Sequence, residues 1–162
     1  MKRSTWLALS GAAVILAGLL VLWRMAVTPV PPEDQQVRDR LEEIRLAVEQ
    51  RDLNAIMDAI SQDFDAFGYS PDRLRIEIAS AFRRGIKPHL RYSNPSVNII
   101  GKEASVNMRV EVWWEDQGSV SRHEPTDIQV YLRKEPARKW LIIPTEKWRV
   151  VDVEGVSIGE LE

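Results

Sequence analysis

The side chains best suited to moving a proton are the carboxylates of Asp63 and Asp65, which flank Phe64, with Tyr69, His89 and Tyr92. An aspartate base paired with a tyrosine or a protonated acid inside an apolar hollow is one way to run such chemistry near neutral pH. Asp63 and Asp65 follow directly on an apolar-periodic segment, a position where solvated acids are ordinary. His89 alternates with Lys87 and Arg91, which predicts an outward, solvated imidazole. His123 lies in the polar run Ser121-Arg122-His123-Glu124-Pro125, which predicts exposure.

Other chemistries are excluded by composition. The 162 residues include 2 histidines and no cysteine, so disulfides, thiol catalysis and cysteine- or histidine-rich metal sites are ruled out. The sequence holds no H-E-x-x-H, no G-x-x-x-x-G-K-[ST], no G-x-G-x-x-G and no G-x-S-x-G. Asn94-Pro95-Ser96 fails as a glycosylation acceptor because of its proline. Glu42-Glu43 and Glu115-Asp116 read as solubilising pairs on a helix face and in a turn. No catalytic residue and no cofactor is expected.

The elements that must position these residues change period midway. Val37, Leu41, Ile44 and Val48 form one helical stripe. Asp52 is a plausible cap for a short second helix carrying Leu53, Ile56, Met57 and Ile60. Ser70-Pro71-Asp72 starts a third helix, with Leu74, Ile78, Ala81 and Phe82 on its inner face and Gly85 at its end. From Ile86 the period becomes 2. Leu90 and Tyr92 alternate with His89 and Arg91, Asn94-Pro95 breaks the run, and a turn follows at Gly101-Lys102. The next strand is the clearest: Ala104, Val106, Met108, Val110, Val112 and Trp114 on one face, Ser105, Asn107, Arg109, Glu111 and Trp113 on the other. Asp116-Gln117-Gly118 reverses the chain, and Ile128, Val130 and Leu132 return. Pro136 is read as a turn before a strand Lys139–Ile143, Pro144 as its end, and Trp148–Val153 as a last strand. Helices followed by antiparallel strands make the fold class α+β, with about three helices packed on a curved sheet.

Ahead of this domain, residues 6–23 carry no charge and end in Trp6 and Trp23. Eighteen residues (6–23) make about 27 Å of helix, enough to cross a hydrocarbon core of roughly 30 Å. The segment is read as an uncleaved transmembrane anchor. Lys2 and Arg3 before it and Arg24 after it keep residues 1–5 cytoplasmic and export the rest, in a bacterium to the periplasmic side of the inner membrane. Residues 24–34 contain Pro29, Pro31 and Pro32 and read as a stiff stalk, leaving 35–162 as the domain. Setting aside Lys2, Arg3 and Arg24 leaves 19 of the 22 cations against 24 anions. That acidic balance argues against nucleic acid as a partner.

Within the domain, the stretch from Val48 to Gly85 with its Arg51-Asp52-Leu53, Ser61-x-Asp63-Phe64 and Ser70-Pro71-Asp72-Arg73-Leu74 words, the turn Gly101–Val106 and Lys139–Ile142 resemble the nuclear transport factor 2-like superfamily (SnoaL-like, cystatin-like cone). The resemblance implies a cone-shaped sheet enclosing a pocket, here lined by Phe82, Tyr92, Met108, Val110 and Trp114, and dimerisation through the convex face. Members include isomerases, dehydratases, secretion-machine components and dimerisation domains, so fold alone licenses no activity. The best strand puts no acid inward, where the catalytic members need one. Trp113, beside Arg109 and Glu111 and joined by Tyr131, reads either as part of an interface or as local packing under the 115–126 loop. The expectation is a membrane-anchored, non-enzymatic binding or scaffold domain, associating with a second copy or another envelope protein. The alternative is an enzyme or carrier for a small apolar ligand in the cone.

Overall fold

Capping residues set the helices of the computed structural model, which describes residues 30–116, 118–139 and 143–155. Helix α1 (Glu33–Gln50) starts directly after Pro32, with Glu33 and Asp34 in the first turn facing the positive end of the helix dipole. It begins two residues ahead of the expected domain start, so Glu33 and Asp34 are helical rather than stalk. The Asp52 carboxylate accepts hydrogen bonds from the Asn54 and Ala55 amides and starts α2 (Leu53–Asp58). The Ser70 hydroxyl accepts from the Arg73 amide and starts α3 (Pro71–Arg83). Among the described residues no helix is long and apolar enough to cross a membrane. The expected anchor at 6–23, Trp6 and Trp23 included, lies outside the described residues.

Five strands follow: β1 (Lys87–Ile100), β2 (Glu103–Asp116), β3 (Ser119–Arg122), β4 (Thr126–Lys139) and β5 (Ile143–Glu154). They form one antiparallel sheet in the order β1-β2-β4-β5, with β3 also on β2. β1 runs the length of β2 on one side, while β4 and β3 share its other side. With three helices on a curved antiparallel sheet, the fold is α+β.

Two expected strand breaks fall elsewhere. Pro136 lies inside β4, opposite Glu146, and Pro144 lies inside β5, opposite Arg138. β4 pairs with β2 only as far as Arg133, so beyond it the two strands form a ribbon with an open side, where a residue lacking an N–H is tolerated. The supposed strand Lys139–Ile143 is instead the junction of β4 and β5, and Trp140, Leu141 and Ile142 lie outside the described residues. Asn94-Pro95 does not end β1 either. The register shifts between Ser93 and Ser96 and Asn94 takes a positive φ of 50°, so the pair forms a bulge in one continuous strand.

The core lies between α1 and the inner face of the sheet. Val37 and Val106 are 0% exposed, and Leu41, Ala104, Val130, Leu132, Trp148 and Val150 close around them. The outer edge of β5 is covered by the segment after α2. The Ser61 amide donates to Val150 O (2.9 Å), the Val150 amide to Ala59 O (2.8 Å) and the Asp65 amide to Val151 O (3.2 Å). Ser61, 1% exposed, gives its hydroxyl to Glu135. These bonds protect the β5 edge at Val150 and Val151 from pairing with another chain.

Charges hold α1, α2 and β5 together. Arg40 donates to Asp58 Oδ2 (3.0 Å), to Asp58 O (2.7 Å) and to Trp148 O (3.0 Å). Lys147 meets the same carboxylate at 2.9 Å, and Arg149 lies 3.7 Å from it while also pairing with Glu135. Burial alone would raise the Asp58 pKa, but the hydrogen bonds from Lys147 and Arg40 outweigh it and hold the carboxyl below its ordinary range. A carboxyl whose pKa falls on folding contributes stability above its unfolded pKa, about 3.9, and loses it as pH drops through the folded value. Asp58→Asn should therefore lower stability at neutral pH, by about 1 kcal/mol given the 40% exposure of the side chain. Urea melts at a series of pH values check this: the difference from the parent chain should shrink to nothing in strong acid.

At the end of β5, Gly155 has a φ of +93°, and a β-carbon there would lie 2.5 Å from Asp127 O and 3.1 Å from Ile128 Cα. Gly155→Ala should destabilise the fold by about 1–3 kcal/mol, read as a drop in melting temperature.

Candidate functional site

The strand register decides which side chains face the core. Tyr92 lies opposite Val110, Leu90 opposite Val112 and Pro88 opposite Trp114, so these share the inner face with Val106 and Met108. Val110 is buried, while Phe82, Tyr92, Met108 and Trp114 are half-buried. Hollows open on the outer face of the sheet and beside α1 and α2.

Tyr92 brings a phenol to this inner face, and its hydroxyl donates to Glu42 Oε2 of α1 at 3.1 Å. Glu42 is in turn gripped by Arg45, at 2.9 and 2.6 Å, and Arg45 reaches on to Glu49 at 2.7 Å. The Arg45 guanidinium holds the Glu42 carboxyl below the usual range. Burial, then the bond to Glu42, pushes the Tyr92 phenol up. Both groups move away from neutrality, the opposite of what a general acid or base requires. This Tyr–Glu–Arg chain escaped sequence reasoning, because it joins residues 50 apart on different elements. A half-buried tyrosine on an otherwise aliphatic face was the available signal.

The other candidate proton carriers are dispersed. Asp63 is exposed and pairs with Arg133 at 3.0 Å; Asp65 is exposed as well. The Arg73 guanidinium lies 4.6 Å from the centroid of the Tyr69 ring. Both histidines are half-buried: the His89 side chain is 32% exposed, with its Nε2 3.8 Å from Glu115 Oε1. His123 packs its ring 4.8 Å from Trp114, and His89 stacks on Trp113 with centroids 5.2 Å apart and planes 9° apart. The Nε2 atoms of both are shut off from solvent and make no hydrogen bond among the described residues. Alternation placed His89 on the correct face, but its cross-strand neighbour is a tryptophan whose ring covers it. Among the described residues no group of three or more His, Asp or Glu side chains converges as a metal site would require.

On the outer face, Trp113 sits in one row between His89 of β1 and Arg122 of β3. The guanidinium carbons of Arg91 and Arg122 each lie 5.7 Å from its ring centroid. Arg122 also pairs with Glu111 (3.6 Å), and Lys87 with Glu115 (3.7 Å). Trp113 is thus half-buried, flanked on both sides by its own chain. Further along the same face, Arg109 donates to Pro125 O at 3.4 Å and Tyr131 donates to Glu154 at 3.1 Å. The four side chains expected at an interface share this face, but Tyr131 stands apart from Trp113, opposite Ser105.

No known family profile matches the sequence, and no curated protein matches it. Solved structures do. The domain is similar to a putative calcium/calmodulin-dependent kinase II association domain from Exiguobacterium sibiricum (TM-score 0.63, 12% identity, 80% of this chain and 95% of that one). It is similar to an NTF2-like protein with a cystatin-like fold from Novosphingobium aromaticivorans (TM-score 0.55, 17% identity, 86% of this chain and 85% of that one). It is also similar to Bd1075 of Bdellovibrio bacteriovorus (TM-score 0.58, 14% identity), where it covers 75% of this chain but only 39% of that one. At these identities the likeness is one of architecture: the described domain has the NTF2-like, cystatin-like fold.

Proposed function

We propose that this chain is a non-enzymatic binding module, anchored through residues 6–23 and displaying its domain outside the cytoplasm, with the outer face of the sheet as its recognition surface. The carrying observation is electrostatic. The phenol and carboxyl that meet beside the aliphatic inner face are tied to each other and to Arg45, with their pKa values displaced outward from neutrality. That arrangement suits a structural brace. The likeness to a protein described as an association domain supports the same reading.

The outer face is one surface available for recognition, because α1 packs on the inner one and the 59–65 segment bonds to β5 at Val150 and Val151. A protein partner, a second copy included, would meet Trp113 at its edge, between His89 and Arg122. A second reading has one observation in its favour. No residue of α3 is fully buried, so Leu74, Ile78 and Phe82 leave apolar surface that a small apolar ligand would cover, as in a carrier or an enzyme.

Trp113→Glu should keep the circular dichroism of the parent while weakening self-association or partner capture. Unchanged sedimentation and unchanged co-purifying proteins would remove Trp113 from the recognition surface. A reporter enzyme fused after Glu162 should be active only when it needs an extracytoplasmic location, and activity of a cytoplasm-dependent reporter would overturn the proposed orientation.

A further inference from the structure

We propose that the outward face of α3 docks on a lipid surface bearing anionic phospholipid headgroups; this rests on the anchored reading, which brings such a surface within reach. Arg73, Ile76, Ser80 and Arg83 recur at +3, +4 and +3 and form one stripe along the helix. The opposite stripe, Leu74, Ile78, Ala81 and Phe82, is half-buried. Arg73, Ile76 and Arg83 are exposed, Ile76 by 63%, and Arg75 and Arg84 are exposed beside them. Arg51 donates to Phe82 O and brings a fifth guanidinium to the end of the helix.

The arginines of α3 are used differently from the other cations of the domain. On α1, Arg40 pairs with Glu43 and Asp58, and Arg45 with Glu42 and Glu49. The ribbon of β4 and β5 is also rich in cations, but Arg133, Lys134, Lys147 and Arg149 are paired there with Asp63, Glu33, Asp58 and Glu135. Among the described residues Arg73, Arg75, Arg83 and Arg84 make no ion pair, and Arg73 rests on the Tyr69 ring. Residues 71–87 carry 5 cations against the 2 anions Asp72 and Glu77. The fold leaves this helix with positive charge that its own acids do not offset.

Charge and apolar exposure together select a bilayer interface. Ile76 lies on the stripe between Arg73 and Arg83. Phe67, 38% exposed, stands in the turn leading into α3 with a φ of 55°, a region disfavoured for a bulky residue. A nucleic acid would be met by the guanidiniums alone and gains nothing from an isoleucine among them. At a membrane surface the isoleucine leaves water for the acyl boundary while the arginines stay with the phosphates. Only residues 24–32 separate α1 from the expected anchor, at most about 30 Å of extended chain. Held that close, the domain meets the lipid at high effective concentration, so a weak contact suffices.

The chain has no cysteine, so Ser80→Cys supplies a single labelling site on the stripe, and Val120→Cys one on β3 as a control. The full-length chain, carrying a polarity-sensitive dye at either site, is reconstituted into nanodiscs of phosphatidylcholine alone or of its equimolar mixture with phosphatidylglycerol. In the anionic discs the dye at position 80 should shift to the blue and lose exposure to acrylamide. About 0.5 M salt should reverse the effect, and the dye at position 120 should not respond to lipid charge. Arg75→Gln and Arg83→Gln should each lower the docked-to-free ratio about 5-fold, with unchanged circular dichroism. A dye at position 80 equally exposed in both lipids, or a shift indifferent to both substitutions, overturns the proposal. If added heparin changes the dye and anionic lipid does not, the helix serves an acidic macromolecule and the lipid proposal falls. Failure of the chain to enter discs sinks the anchored reading instead. Co-sedimentation of the same chain with vesicles of the equimolar mixture then decides the α3 proposal: pelleting weakened by both substitutions upholds it, and no pelleting overturns it.

Discussion

Strand alternation is the constraint on which the rest of this molecule depends. β2 is paired along both sides, so it cannot shift register without moving Ala104, Val106 and Val110 out of the core and Ser105, Asn107 and Arg109 into it. Once Val37 and Leu41 of α1 close over that inward row with Val130 and Leu132, the inner face is committed to packing. Polar chemistry is thereby displaced to the opposite face, and to the rim where α1 meets β1. The caps and the Asp58-centred ion pairs serve this arrangement by fixing α1 and α2 against β5.

Where ionisable groups do meet the inner face, their partners determine what they can do. Tyr92 and Glu42 resemble an acid–base pair by residue type, but Arg45 stabilises the carboxylate and burial stabilises the neutral phenol. A catalytic pair needs environments that pull the two values toward the working pH. At this pair the carboxyl is held low by one arginine, three residues along α1. The same reasoning separates this site from a generic cleft of the same architecture, whose shape alone says nothing about proton transfer.

Much of the architecture was legible because it is encoded locally. Asp52 and Ser70 cap helices through bonds to residues two or three positions ahead, and the Val106–Val110 alternation shows its period within one strand. What was misread depends on partners distant in sequence. Pro136 and Pro144 carry the usual sign of a break, and nothing nearby tells that β4 has outrun β2 and left an open side. His89 was assigned to the right face, but its covering by Trp113 requires the register of two strands 24 residues apart. His123 sits in a polar run that reads as exposed, yet its amide bonds to Val112 O and its ring meets Trp114. The β1 run Ser93-Asn94-Pro95-Ser96 was visible as a break in alternation. Its meaning as a bulge beside Asn107 and Gln129 appears only with the sheet assembled.

The outer face follows from the same alternation but not from solubility alone. A face needed only to stay wet is served by charged, strand-compatible side chains, and the half around Trp113 is built that way, with Lys87, Arg91, Arg122, Glu111 and Glu115 in mutual contact. The half around the β1 bulge is mixed, with Ser93, Asn94, Ser96, Asn107 and Gln129 beside Arg109 and Asp127. Asn107 and Gln129 lie opposite each other in adjoining strands, where paired β-branched or oppositely charged residues would add stability to the sheet. Retaining two amides there, next to a bulge that already interrupts the β1 ladder, weakens the sheet at a place where nothing inside the domain gains from it. Local stability rules are followed less closely here than around Trp113.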